Sequence, residues 1–201
     1  ITEFFEPELQ GADVFNSIRW ADLFGNDHPV EIEIGFGKGR FLISAGERFP
    51  NVNYFGIERK ARYFKIASSR ILKRRLLNVR ILFGDALPVV HEAVPDRSVS
   101  AYHIYFPDPW WKKRHRKRRI FGTDFLEAIA RTLNPGGCIY IATDVKEYFE
   151  EIVSAISRNP YFMSLDNPSK LMEQEGYIPT NFEVKRVKAG SQIYRVVFER
   201  V

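Results

Sequence analysis

The first clear pattern is Val30–Gly35, VEIEIG, where apolar residues alternate with Glu31 and Glu33 in the two-residue period of a strand. A glycine-rich turn follows, and from Arg40 to Phe49 the apolar positions Phe41, Leu42, Ala45 and Phe49 fall at helical spacing until Pro50 stops them. The alternation then repeats. Asn53–Glu58 reads as strand, Ala61–Arg75 as a basic helix, Val79–Phe83 as strand, Leu87–Ala93 as a short helix and Val99–Phe106 as strand. Thr123 is placed to cap a helix running to Leu133, Pro135-Gly136-Gly137 turns the chain, and Cys138–Thr143 is a nearly all-apolar strand before a helix over Lys146–Arg158. Strands alternating with helices of these lengths imply parallel crossovers, hence an α/β doubly wound, Rossmann-like sheet with ligands at the carboxyl ends of its strands. Near the C-terminus, Tyr161–Leu165 and Ile193–Glu199 read as strands joined by a polar loop too short for two more crossovers, which predicts an antiparallel C-terminal edge. Residues 1–201 are expected to form a single domain.

Composition adds mainly exclusions. A chain of 201 residues that is 45% hydrophobic can bury one sizeable core. A lone cysteine, Cys138, rules out an internal disulfide and is expected to pack as a core thiol, and His28, His91, His103 and His115 lack metal-ligand spacing. No apolar run is long enough for a membrane span, so the expectation is a cytoplasmic protein with no membrane and no metal, a monomer or homodimer. The net charge of +5 is unevenly distributed. Lys112–Arg119, KKRHRKRR, contributes +7, and Glu58–Arg80 holds nine bases against the single acid Glu58. Two such patches suit a polyanionic partner.

Five carboxylates fall at or beyond strand ends: Glu33, Glu58, Asp85, Asp108 and Asp144. The sheet topology should gather them in one crevice. Gly35-x-Gly37-x-Gly39, between strand and helix, allows a ligand to approach the backbone closely, but lacks the G-x-G-x-x-G spacing of a dinucleotide site because position 40 is Arg. Glu58, 23 residues after Gly35, suits a carboxylate that accepts ribose hydroxyls, as in both NAD and adenosylmethionine sites. Asp85 and the small Ala86 could hold an adenine amino group. Together these positions predict a nucleoside cofactor. In Phe106-Pro107-Asp108-Pro109-Trp110-Trp111, two prolines stiffen the backbone around Asp108, the rigid placement a reacting centre needs. The tryptophans can stack on a base and the Lys/Arg run can neutralise phosphates.

Taken together, EIGFGKG, FGIE, FGDA, FPDPWWKKRHRKRR, LNPGG, ATD and PTNFE, in this order, resemble the bacterial tRNA (guanine-N7)-methyltransferases, class I S-adenosylmethionine-dependent enzymes. The resemblance runs from Glu31 to the end, departing upstream, where Ile1–Pro29 is mostly acidic and family members often carry more basic sequence. It implies S-adenosyl-L-methionine as cofactor, bound by Glu33, Glu58 and Asp85 beside Gly35, Gly37 and Ala86, and tRNA as partner, methylated at N7 of its variable-loop guanine. It further implies Asp108 as the catalytic position, Lys112, Asp144, Thr180, Asn181, Phe182 and Glu183 as guanosine contacts, and Arg114, His115, Arg116, Lys117, Arg118 and Arg119 as the RNA-contact segment. An RNA-binding protein that has kept the fold, or a methyltransferase for another RNA, are the alternative readings.

Overall fold

The computed structural model describes residues 8–9, 18–110, 114, 119–168 and 176–201. Lys112, His115, Arg116, Lys117 and Arg118 lie outside the described residues. Within them, β1 is Glu8–Leu9, β2 Val30–Ile34, β3 Asn53–Glu58, β4 Val79–Phe83, β5 Val99–Tyr105, β6 Leu133–Thr143, β7 Phe162–Ser164 and β8 Tyr194–Arg200. They form one sheet in the order β1-β4-β3-β2-β5-β6-β8-β7. The pairs from β1 through β6 are parallel, and β8 runs antiparallel to both β6 and β7. The sequence therefore reads correctly as a doubly wound sheet with an antiparallel edge.

The helices are α1 (Trp20–Phe24), α2 (Arg40–Arg48), α3 (Ala61–Arg74), α4 (Ala86–Pro88, continued by one π-helical turn over Val89–Ala93), α5 (Thr123–Thr132), α6 (Lys146–Ser157) and α7 (Asn181–Lys188). On one face of the sheet, α2 and α3 bury Phe41, Leu42, Phe64, Ala67 and Ile71 against Tyr54, Ile81 and Tyr105. On the other, α5 and α6 bury Phe125, Ile129, Ile152 and Ile156 against Ile32, Ile104 and Ile139. Coverage of both faces changes the meaning of the VEIEI alternation. Glu31 and Glu33 do not mark a solvent face, because a central parallel strand has none. Glu33 is instead only 2% exposed, and Glu31 meets buried His103 at 2.8 Å.

Four expectations need correction. Thr123 does not cap α5: the cap position is Gly122, which has no side chain to offer, and Thr123 is already helical. The polar stretch before β8 is not all loop but contains α7. Pro135-Gly136-Gly137 does loop out, but inside β6, where Val99 pairs with Leu133 and Ala101 already pairs with Cys138. Beside that bulge Cys138 packs against the edge of the core but is only partly buried, not enclosed within it.

Candidate functional site

The glycine turn closes the end of β2 onto β3. Gly35 donates its N–H to the Ile57 carbonyl at 2.8 Å, and Gly35, Gly37 and Gly39 all have positive φ, the region that favours glycine. They serve different neighbours. A Cβ on Gly39 would stand 2.8 Å from Ala67 Cβ, so this glycine lets α2 pack on α3, whereas a Cβ on Gly35 or Gly37 would meet nothing within 4 Å. The first two glycines thus face open space at the strand ends, the room a ligand needs against bare backbone.

Glu58, at the end of β3 and 5% exposed, anchors this turn. Its Oε2 accepts from the Gly37 N–H at 2.9 Å and its Oε1 from the Lys60 N–H at 2.8 Å. A carboxylate has about four acceptor sites, so two remain for a ligand's hydroxyls. Glu33 lies beside it on β2. Burial first, and the neighbouring Glu58 charge second, push its pKa well above the usual carboxylate range, against a backbone hydrogen bond from Leu42. Its Oε2 is buried without a hydrogen-bond partner among the described residues, an arrangement that suits a cationic N–H donor from a bound molecule.

Asp85 follows β4 and is exposed. The Gly84 N–H bonds the Glu58 carbonyl at 3.1 Å, which sets Asp85 just past the end of β3. Its carboxylate caps α4 by accepting from the Leu87 N–H at 3.2 Å, and Ala86 behind it is buried.

Asp108 stands on the loop after β5. The residues on either side of Pro107-Asp108-Pro109, Phe106 and Trp110, have φ of 52° and 44°, conformations costly for side chains with a Cβ and kept only where the surroundings over-determine them. Those surroundings are identifiable. The Phe106 N–H bonds the Ala142 carbonyl at 2.7 Å, Arg59 lies over the Trp110 ring at 5.6 Å, and Arg119 Nε donates to the Pro109 carbonyl at 2.8 Å. Arg119 also pairs with Glu151 and lies over Tyr148 at 4.8 Å, so it braces the loop from inside, while Arg114 is exposed. The half-exposed Asp108 carboxylate is 3.3 Å from Lys60 Nζ. Lys60 was not legible as a site residue. Its place two residues after Glu58, at the strand end and within the basic Glu58–Arg80 stretch, is the signal the sequence carries.

The tail approaches from the β6 side. Asp144 follows β6, its side chain 10% exposed, with Arg186 Nε 2.6 Å from Oδ2. Thr180 caps α7 through Oγ1, which accepts from the Glu183 N–H at 3.1 Å. Glu183 itself is buried and bonded to Tyr177 and Arg195, while Asn181 is half-buried. Phe182, 48% exposed, packs on Phe106 with ring centroids 5.0 Å apart. The structure therefore joins Glu58, Lys60 and Asp108 through direct bonds, sets Glu33 and Asp85 at neighbouring strand ends, and brings Phe182 and Asp144 alongside through Phe106 and Arg186. A separate cavity of about 440 Å³ under α2, lined by Glu31, Tyr54, His103 and Tyr140 among others, includes none of these carboxylates. Among the described residues no cluster has the ligands for a metal ion, and no helix is long and apolar enough to cross a membrane.

Residues 27–196 match a protein family described as "Putative methyltransferase". A tRNA (guanine-N(7)-)-methyltransferase of Rhodopirellula baltica is 39% identical over 195 residues, covering 94% of this chain and 72% of that protein. Among solved structures, an antibiotic-related methyltransferase superposes with a TM-score of 0.63 at 19% identity, covering 94% of this chain and 98% of the other. The geranyl diphosphate C-methyltransferase of Streptomyces coelicolor A3(2), solved with S-adenosyl-L-homocysteine, gives 0.55 at 17% identity, covering 90% and 73%.

Proposed function

The chain belongs to the tRNA (guanine-N7)-methyltransferase family of class I methyltransferases, and on that premise we propose that it transfers a methyl group from S-adenosylmethionine to N7 of a loop guanine in tRNA, in the cytoplasm. The observation that carries this reading is the unbroken chain of bonds from Gly37 through Glu58 and Lys60 to Asp108. It ties the turn suited to a nucleoside cofactor to the loop suited to a base.

The residues present fit the cofactor. Glu58 has acceptor capacity left for ribose hydroxyls, Gly35 and Gly37 leave the space open, Asp85 stands one strand further along, and the partnerless Glu33 Oε2 matches the amino group of the methionine part. When bound, the cofactor supplies an electrophilic methyl on a sulfonium. Guanine N7 has an in-plane lone pair and no proton to lose, so the protein's task is alignment and charge compensation, not proton abstraction. Asp108 accepts hydrogen bonds from the guanine N1–H and N2 amino edge and offsets the positive charge that develops on the purine. Lys60 steadies that carboxylate without exhausting its acceptor sites. Phe182, backed by Phe106, offers an aromatic face to a base that has left its stack. Asp144 and Thr180–Phe182 complete the guanosine side, while Glu183, expected as a contact, is buried against Tyr177 and Arg195 and instead holds α7 in place. Lys112 positions a phosphate or O6, and the basic run around Arg114 contacts the RNA backbone.

Incubation with labelled cofactor and unmodified tRNA, followed by nucleoside analysis, should yield N7-methylguanosine; label on any other atom refutes the proposal. Asp108→Asn should lower turnover by about 10²–10³-fold while adenosylhomocysteine affinity stays near wild type. Unchanged turnover removes Asp108 from the mechanism.

A further inference from the structure

The function above uses the basic run after Asp108 but leaves the second concentration of positive charge unexplained. That charge lies largely on α3, whose sequence ARYFKIASSRILKR has five bases and no acid. The inner face of the helix buries Phe64, Ala67, Ser68 and Ile71. Two of the five bases are engaged locally: Arg74 pairs with Glu47 at 3.0 Å, and Arg70 donates to the Lys38 carbonyl at 3.1 Å. The other three, Arg62, Lys65 and Lys73, are exposed and meet no acid among the described residues. At 100° and 1.5 Å per residue they fall in one stripe about 80° wide and about 16 Å long.

The N-terminal half of the arrangement opposes the stability of the helix, whereas Lys73 in the last turn suits its dipole. Arg62 and Lys65 are like charges three residues apart, and the first turn carries a base and no acid where the helix dipole favours negative charge. Surface helices ordinarily mix both signs. Position supplies the reason for the excess. α3 begins directly after β3, at the strand ends that hold the site, and the two residues that lead into it already touch the catalytic loop: Arg59 covers Trp110 and Lys60 meets Asp108.

We infer that the outward face of α3, through Arg62, Lys65 and Lys73, is a phosphate track for the tRNA backbone, continuous through Arg59 and Lys60 with the loop that carries Asp108. The inference rests on the tRNA reading above and adds a second RNA-contacting surface to it. RNA entering the site runs back along the helix, three of its phosphates replacing their counterions with these side chains.

The test is the salt dependence of binding of an unmodified tRNA transcript to the full chain. Neutralising all three (Arg62→Gln, Lys65→Gln, Lys73→Gln) should make the slope of log K against log salt shallower by about 2–3, at roughly 0.7–0.9 per phosphate contact. If that contribution vanishes near 1 M salt, the corresponding loss at 0.1 M is on the order of a hundredfold. Turnover at saturating tRNA and adenosylhomocysteine affinity should not change, since none of the three lies in the site. The charge-keeping variant (Arg62→Lys, Lys65→Arg, Lys73→Arg) should retain the wild-type slope. An unchanged slope in the neutralised protein overturns the track, as does an equal loss when Arg19, Arg97 and Arg158 are neutralised instead, which would reveal a net-charge effect. Should the triple variant fail to fold, Lys65→Gln and Lys73→Gln singly should each remove about 0.7–0.9 of slope, and no change in either overturns the inference. A wild-type chain that neither binds nor methylates tRNA defeats the functional reading itself, whereas normal methylation with an unaltered variant slope defeats only the track.

Discussion

Glu58 should be worth as much to folding as to cofactor binding, and the two contributions can be separated. Its carboxylate is 5% exposed and accepts two backbone hydrogen bonds, from Gly37 at 2.9 Å and Lys60 at 2.8 Å. Glu58→Ala removes both and leaves two donors to be satisfied by water in a confined space. Hydrogen bonds to a charged group contribute about 1.5–3 kcal/mol each. Relief of the repulsion between Glu58 and Glu33 returns part of that loss, leaving a net destabilisation of about 3 kcal/mol. For a chain of this size the melting temperature should fall by about 6–12 °C, read by calorimetry without cofactor. Glu58→Gln keeps one acceptor oxygen and presents an amide N–H₂ to the other donor, so about half the loss is expected. Adenosylhomocysteine titration of both variants then reports the ribose contacts, which the amide serves poorly even where the turn survives. A Glu58→Ala protein melting within about 2 °C of wild type would show that the carboxylate does not hold the glycine turn.

Two further outcomes follow from the same strand ends. Because burial raises the Glu33 pKa above its ordinary value of 4.5, the folded state holds this proton more tightly than the unfolded chain does, so the contribution to stability is present below that value and is lost as pH rises through the raised one. Melting of the cofactor-free protein from about pH 5 upward should show this decline, and Glu33→Gln should flatten it while weakening cofactor binding; an identical pH profile in the variant excludes Glu33 as its source. Gly37→Ala places a Cβ at a φ of 55° in space that is empty without ligand. Stability should fall by only about 1–2 kcal/mol while adenosylhomocysteine affinity drops much further, and a proportionate loss of the two would mean that the cofactor does not lie against this turn.

The central strands were legible because the same physics writes both pattern and structure. β3 and β4 are bracketed by turn residues and run apolar through a two-faced core, and their bounds match the sequence reading residue for residue. The strand-end carboxylates were legible for the same reason, since a parallel sheet exposes one set of ends. α7 was not, because its inward face is held by a carboxylate where periodicity looks for apolar residues: Glu183 is its only buried residue, held by Tyr177 and Arg195. α1, at five residues, is too short for a helical period to register. The Lys60–Asp108 pair joins positions 48 apart, and no local signal says that the end of β3 faces the loop after β5. Arg119 reads as one more base in a run, yet its chemistry is to pin the Pro109 carbonyl.

β8 follows every other described strand in the chain, yet it lies between β6 and β7 and contributes the buried Val196, Val197 and Phe198. During synthesis, β6 therefore emerges with one side unzipped, and its partner leaves the ribosome only after α7 has been made. A chain that has emerged only as far as α7 cannot yet seal the layer beside Asp144, and β6 keeps an open hydrogen-bonding edge until β8 is added.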